Sequence, residues 1–579
     1  MNKNYNMGSS SSNTKKKGDN KKKVTISNKN PNIKKEDKEN NNLKKKKDIK
    51  SKYVGIWKSQ NWEKAKKILK KKYTVADYSE LFNINKALKT KTINNFERLK
   101  NQISKEAIFD FILPLIQSIA LTSEEIKKDI FLLTNNNNEK IELTQFECAS
   151  ILSTFFLNMF GNETEGRNIK ELENGNYKIY DFPELSFLYY LMGNGILYEK
   201  FLFMIRYFIK IGIRMASQNK LSKVEHCNFI SSKEDILNKV KDYKDKLNEI
   251  YNFDKELNND FDCQRNSILK IHLNEFDPYI YNKNLNENQF EKNEMNNELN
   301  NEIKLFLKSK LKLNEDKMVK KIKEEVFIKN NEKINKELIE KVKIHLLSMM
   351  EEKESIIVNF ANKYLGGGCM NRGSVQEEIL LLICPEILVA RAFVKKMNNI
   401  QSISMSGFEQ FSDYTGYGGS LKFKGDYHDN RIYENNTFKS LMIAVDALPI
   451  FQLKCDQFNF IVSFREFIKF ITGLQGNADL KLNSCSTGKW GCGVFGGNVY
   501  IKFLIQFLAC LFADIEFQFS CYHDEENKIA FEKFIESFKN IITEKNVTKG
   551  IVFKAFCDMK VKKEKEILND YLGTLKQLI

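Results

Sequence analysis

At 579 residues, with 92 Lys plus Arg against 75 Asp plus Glu and a formal charge of +17, the chain can build two or three domains around a large core. The charge is local: residues 1–52 hold 17 Lys, no Arg and 5 acids, or +12, and the other 527 residues carry only +5, which argues against a strongly basic folded body. The most apolar helical stretches, 201–213 and 499–515, are broken by Arg206 and Lys210 and by Lys502, Gln506 and Asp514, short of the ~18 uninterrupted apolar residues of a membrane span, so no membrane partner is expected.

Residues 1–52 are rich in Lys, Asn and Ser and poor in large apolar residues, so they cannot offset their ordering entropy and are expected to be a disordered tail. Within it, Lys44 to Lys47 read equally as a nuclear address or weak nonspecific polyanion tether and as a plain solvated run. Residues 53–230 read as an all-α region: a lead-in with Trp57 and Trp62, then helical spacing in Ile112, Leu115, Ile116 and Ile119 and in Ile151, Phe155, Phe156 and Met159. Phe182-Pro183 punctuates it, because proline turns the preceding residue away from helix. Residues 231–343 shift to Asn, Lys and Glu and are expected to form a partly disordered insertion with one charged helix over 324–343.

From 344 to 579 strand and helix signals alternate, the mark of an α/β domain with helices on both faces of a sheet. Strands are expected at 355–360, 403–407, 421–428, 440–445 and 515–519, and helices at 374–384, 386–397, 460–474, 499–513 and 526–543. The eleven cysteines are scattered without a C-x-x-C pair, the N-terminus carries no secretory-signal pattern, and the histidines (226, 272, 345, 428, 523) lack metal-ligand spacing. Reduced thiols in nucleus or cytoplasm, and no metal or organic cofactor, are the expectation. No heptad run is long enough to force a dimer, so a monomer is expected.

The segment Leu365 to Leu380 (LGGGCMNRGSVQEEIL) is the densest in information. Three glycines let a backbone approach a ligand, and the helix that follows offers unpaired N–H groups. Two carboxylates, Glu377 and Glu378, open that helix, which suits a site that binds a phosphate-bearing ligand and also moves protons on it. Ser374 and Glu377 have capping-box spacing, which gives Glu377 a purely structural explanation; Glu378 has none. Neighbours on a helix point about 100° apart, so the pair cannot flank a sugar from opposite faces as an inverting pair would; one carboxyl acting as acid and then base, with its neighbour gripping hydroxyls, fits better.

This segment resembles the signature of the poly(ADP-ribose) glycohydrolases, a triple-glycine loop before Gln-Glu-Glu. The resemblance extends to Thr415-Gly416-Tyr417, to the glycine-rich loop Ser486-Thr487-Gly488-Lys489-Trp490-Gly491-Cys492-Gly493-Val494-Phe495-Gly496-Gly497, and upstream to Asp181-Phe182-Pro183 and the helical pattern near residues 151–160. It implies a C-terminal α/β macrodomain with a mixed sheet flanked by helices, preceded by a helical accessory domain over 53–230. The implied activity is hydrolysis of ribose–ribose bonds, on poly(ADP-ribose) and ADP-ribosylated proteins. By resemblance Glu378 is the acid/base and Glu377 holds a ribose hydroxyl. Gln376, Asn359 and Asn362 help fix the ligand; Gly366, Gly367 and Gly368 wrap phosphate and ribose. Lys489, Trp490, Gly491, Cys492, Gly493, Val494 and Phe495 form the diphosphate loop; Tyr417 lies over phosphate and ribose. Tyr522 stacks on adenine, though it reads equally as a core residue ending a strand, and Met350 and Glu351 read the adenine edge. Two departures stand out: Asn359 replaces a usual Asp, and Lys489 a usual Asn, which should place a cation beside the phosphates. An ADP-ribose reader with little or no turnover is the alternative, favoured by Asn359; a basic nucleic-acid binder is disfavoured because the charge lies in the tail.

Overall fold

A computed structural model describes residues 107–122, 133, 140–157, 195–221, 232–243, 263–286, 289–309, 317–349, 354–369, 372–394, 396–560 and 563–579. The tail, Trp57, Trp62 and Asp181-Phe182-Pro183 therefore lie outside the described residues. The strands are β1 (Ile141–Thr144), β2 (Ile268–Glu275), β3 (Lys343–His345), β4 (Ile356–Ala361), β5 (Gln401–Gly407), β6 (Ser412–Thr415), β7 (Lys422–Asp426), β8 (Tyr433–Glu434), β9 (Thr437–Asp446), β10 (Ser484–Gly488) and β11 (Glu516–Ser520). The helices that matter below are α1 (Leu113–Leu121), α2 (Gln145–Phe156), α3 (Ile196–Ser217), α4 (Gln376–Ile383), α5 (Phe460–Leu474), α6 (Val499–Phe512) and α7 (Glu525–Glu544).

Nine strands form one mixed sheet in the order β1-β2-β5-β9-β4-β10-β11-β3, with β8 beside β9. From β9 through β4, β10 and β11 to β3 the pairing is parallel; β1, β2, β5 and β8 join antiparallel. The parallel centre explains the sequence of β4, whose Ile356, Ile357 and Val358 are all buried, as a strand covered on both faces must be. On one face Gly473 of α5 lets the helix settle onto β9, where a Cβ would meet Ile443 and Val445 at 3.0 Å. Asn459 and Asn498 cap α5 and α6, each accepting a backbone N–H of the first turn.

The stretch 231–343 differs from the expectation of an insertion. It supplies β2, inserted between the edge strand β1 and β5, so a segment of polar composition is an interior strand of the sheet. Alternation explains this: Leu269 and Ile271 are buried while Lys270 and His272 face the other way, and period-2 patterning hides in a bulk composition rich in Asn and Lys. Phe327 of the same stretch packs in the core against Phe553 (centroids 4.7 Å apart) and Phe467 (5.2 Å). The single helix expected over 324–343 is instead Lys317–Ile322, a wide turn Lys323–Ile328, helix Lys336–Glu340 and then β3. Asparagines divide it: Asn330 donates to the Tyr281 carbonyl and accepts the Glu332 N–H, and Asn335 caps the next helix. Two smaller differences follow the same logic of local context. Residues 385–392 form a 3-10 helix opened by Pro385, and the strand at 422–426 pairs with β6 in a separate ribbon.

α3 joins the helical region to the sheet. Lys200, Arg206, Lys210 and Arg214 fall within about a third of its circumference at 3.6 residues per turn. All four are buried and engage the sheet side: Lys200 the loop after β4, Arg206 the carboxylate of Asp426, and Lys210 and Arg214 the carboxylate of Glu409. Burial opposes ionisation of Glu409, but Arg214 and Lys210 hold its carboxyl well below the usual range. No helix among the described residues is long and apolar enough to cross a membrane.

Candidate active site

The site lies beyond the C-terminal ends of β4, β10 and β11, where open α/β sheets leave a crevice. β4 ends in Asn359-Phe360-Ala361, and from Asn362 the chain turns through the glycines into α4. The N-cap of α4 is Val375 rather than the expected Ser374, whose carbonyl is taken by the Gly418 N–H. A valine side chain cannot accept a hydrogen bond, so only half of a capping box forms, and it is Glu378 rather than Glu377 that closes it: Glu378 Oε2 accepts the Val375 N–H at 2.9 Å. The structural explanation available to Glu377 from spacing alone is thereby lost.

Both carboxylates point back under the glycine loop. Glu378 Oε1 accepts the Gly368 N–H (2.8 Å), while Glu377 accepts the N–H groups of Gly366 (2.7 Å) and Asn362 (2.9 Å). Gly367 has φ +45°, and a Cβ there would lie 2.6 Å from Glu377 Oε2 and 2.8 Å from Glu378 Oε1. A side chain there would have to displace both carboxylates. The amides of Gly366 and Gly368 are thus spent on the two carboxylates instead of being free for a phosphate, a different use of the loop from the one expected. Both carboxylates are buried, and burial pushes the Glu377 carboxyl up to about 8 against the pull of the Gly366 and Asn362 amides, with Glu378 adding to the rise and Arg391 opposing it.

Gln376 is also buried, and its amide is pinned to β4: Oε1 accepts the Phe360 N–H and Nε2 donates to the Val358 carbonyl, both at 2.9 Å. It therefore fixes α4 against the strand. Asn362 Oδ1 caps the turn at Tyr364. Asn359 is fully buried, and both atoms of its amide lack a hydrogen-bond partner among the described residues. An orphaned buried amide is expensive, and this one sits two residues before the end of β4.

Across the crevice, residues 488–497 form the second loop. Trp490, expected to contact substrate, is instead fully buried: its indole N–H donates to the Val445 carbonyl and its ring lies 3.8 Å from the Lys502 ammonium. It anchors the loop from below, because so large an apolar ring is worth more in the core than in water. Lys489 points to Asp524 (2.9 Å), the cap of α7, and its ammonium is paired there. Gly491 and Cys492 are half-buried, and the Cys492 N–H turns back to Lys489. The N–H groups of Gly493, Val494 and Phe495, by contrast, carry no hydrogen bond among the described residues, and Gly493 and Val494 are exposed. These three amides are left available to an acceptor from outside the loop.

Tyr417 and Tyr522 form the rim. Each is 44% exposed and their rings are 5.8 Å apart. Burial raises the pKa of the Tyr417 hydroxyl, the backbone of Gln376 opposing it and nearby Glu378 adding to the rise. Tyr522 and His523 both have positive φ, at +43° and +61°, a rare pair for residues with side chains, and the turn lifts Tyr522 off the end of β11 instead of into the core. Met350 and Glu351 lie outside the described residues. Sequence reasoning missed Gly373, whose Cβ would lie 2.7 Å from Glu378 Oε1, and Lys200, which donates to the glycine loop. A lysine within a buried apolar helix was the available signal for the latter, since such a charge needs partners. Among the described residues no three His, Cys, Asp or Glu side chains gather as a metal site.

Comparison with known proteins supplies the frame. The helical domain of poly(ADP-ribose) glycohydrolase matches residues 100–253, and the macro domain fold of the same family matches residues 328–529, together more than half of the chain. Poly(ADP-ribose) glycohydrolase 1 of Caenorhabditis elegans is 36% identical over 208 residues, covering 34% of this chain and 26% of that protein. Poly(ADP-ribose) glycohydrolase 2 of the same organism is 35% identical over 209 residues (34% and 42%), and poly(ADP-ribose) glycohydrolase 1 of Arabidopsis thaliana is 28% identical over 237 residues (29% and 43%). In each case the chain spans less than half of the relative's length. The crystal structure of the glycohydrolase from Thermomonospora curvata aligns with 41% of this chain and 88% of its own at 12% identity and a TM-score of 0.26. β2 falls between the two matched ranges.

Proposed function

The chain belongs to the poly(ADP-ribose) glycohydrolase family, and from that premise we propose that it hydrolyses the ribose–ribose O-glycosidic bonds of poly(ADP-ribose) and releases ADP-ribose. The observation that carries the reading is the pair of buried adjacent carboxylates, Glu377 and Glu378, held by amides of one glycine loop at the C-terminal end of β4.

In this reading the Glu378 carboxyl gives its proton to the ribose oxygen that leaves, and the carboxylate then takes a proton from the water that attacks the anomeric carbon. Each carboxylate oxygen has two lone pairs, so one amide on each leaves room for the second partner that chemistry requires. Glu377, whose carboxyl burial pushes up to about 8 and so towards its neutral form, hydrogen-bonds a ribose hydroxyl next to the scissile bond. The amides of residues 493–495 take the diphosphate, and Tyr417 and Tyr522 part to receive the adenine and distal ribose. Gln376 and Trp490 act by holding their elements still.

The alternative of a reader with little turnover draws on Asn359, whose orphaned amide stands where a carboxylate would supply charge. One experiment separates them: hydrolysis of purified poly(ADP-ribose) by wild type and Glu378→Gln, with ADP-ribose binding measured on both. Free ADP-ribose from wild type only, with binding retained in the variant, supports the glycohydrolase. Binding without hydrolysis in the wild type would replace it with the reader.

A further inference from the structure

We propose that Lys200, on α3 of the helical region, is a positioning residue for the reaction: it closes the backbone around Glu378 and so sets where the catalytic carboxylate sits. The inference rests on the reading of Glu378 as the acid/base.

Lys200 is fully buried, and its ammonium donates to three carbonyl oxygens of one loop: Gly368 (3.2 Å), Cys369 (2.8 Å) and Gly373. Gly368 is the link. Its C=O receives Lys200 while its N–H donates to Glu378 Oε1 at 2.8 Å, so one residue joins the lysine to the carboxylate. Gly373 forms the other wall: its N–H donates to the Gly368 carbonyl at 3.1 Å, and there is no room for a Cβ between it and Glu378. The lysine therefore grips both walls of the Glu378 pocket from outside the domain that contains them. Burial lowers the pKa of the ammonium, while Cys369 and Glu378 raise it, an electrostatic coupling that agrees with the contact geometry. A backbone held by a buried cation is preorganised for chemistry, and without it the Cys369 and Gly373 carbonyls lose a charged donor while Gly368 keeps only the Gly373 N–H.

The test compares wild type, Lys200→Met and Lys200→Arg in the full chain. Three readouts are kinetics on poly(ADP-ribose), ADP-ribose titration to count binding-competent protein, and amide exchange of residues 366–369 and 373–375. Lys200→Met should lower kcat per competent site by about 10- to 100-fold, the cost of a catalytic group displaced by up to an ångström, with KM and the ADP-ribose Kd within about threefold. Exchange in the loop should quicken while the core of α3 stays protected, and Lys200→Arg should recover part of both. Unchanged loop exchange with kcat within about twofold would overturn the proposal, as would losses in kcat, KM and Kd that track each other. Faster loop exchange in a protein whose wild type shows no turnover would retain Lys200 as the loop's clasp and remove the acid/base reading. Should Lys200→Met fail to fold, Lys200→Gln, neutral but still a donor, carries the same readouts.

Discussion

Substituting Gly367 by alanine should separate the two jobs of the glycine loop, permitting an unusual backbone and making room for the carboxylates. At φ +45° an alanine pays the left-handed cost of about 1–2 kcal/mol before any contact is considered. Its methyl would also begin 2.6 Å from Glu377 Oε2 and 2.8 Å from Glu378 Oε1. Carbon and oxygen settle beyond about 3.2 Å, so each oxygen must retreat by about half an ångström. Glu377 Oε2 also accepts the Asn362 N–H at 2.9 Å, and that retreat weakens a hydrogen bond worth about 0.5–1.5 kcal/mol. The total loss in stability should be about 1.5–3.5 kcal/mol. Gly418 provides the control: φ is +60° and nothing lies within 4 Å of its missing Cβ, so Gly418→Ala should cost only the backbone term, about 1–2 kcal/mol. Urea denaturation of both variants gives the difference. Hydrolysis of poly(ADP-ribose) by Gly367→Ala should fall about 10- to 100-fold for a half-ångström displacement of both carboxylates. Equal destabilisation of the two variants, with Gly367→Ala turnover near wild type, would refute the reasoning.

Further outcomes follow from the same geometry. The Glu377 carboxyl, raised to about 8 in the fold, favours its neutral form there; wild-type stability relative to Glu377→Gln is then greatest below the ordinary carboxylate pKa and is lost as pH rises through about 8, up to about 4–5 kcal/mol in all. Urea midpoints of the two proteins at pH 5, 7 and 9 measure it, and a pH-independent difference contradicts the assignment. Arg214→Met strips Glu409 of two hydrogen bonds at 2.6 and 2.9 Å and should cost about 3 kcal/mol, the low end for an orphaned buried charge because Lys210 (3.7 Å) and Arg265 (3.9 Å) remain. A denaturation loss below about 1 kcal/mol would mean those two suffice. Lys489→Met should change ADP-ribose affinity by less than about threefold by calorimetry, since the ammonium is engaged with Asp524; a tenfold loss would show that it swings to the phosphates on binding.

The amino-acid sequence alone determined the architecture of the α/β half and the place of the candidate site. β4, β9, α5, α6 and α7 lie within a few residues of where apolar runs and periodicity put them, because buried parallel strands and amphipathic helices write their environment into local composition. The glycine loop, the two glutamates and the second loop were legible for the same reason, each being a contiguous motif. What the tertiary structure decided was every assignment that depends on a distant partner. Composition marked 231–343 as an insertion, yet β2 runs through the sheet, since an edge for it exists only once β1 and β5 are in place. Arg206 and Lys210 read as interruptions of an apolar helix; folding gave them Asp426 and Glu409. Trp490 and Lys489 were read from their neighbours in the chain, but a side chain four or more ångströms long is placed by what surrounds it in space. Spacing assigned the cap to Glu377, and the fold passed it to Glu378 when Ser374 was drawn to Gly418. Local pattern fixes which segments fold and how; the roles of individual charges are set by contacts between segments far apart in sequence, and those exist only after the chain has closed.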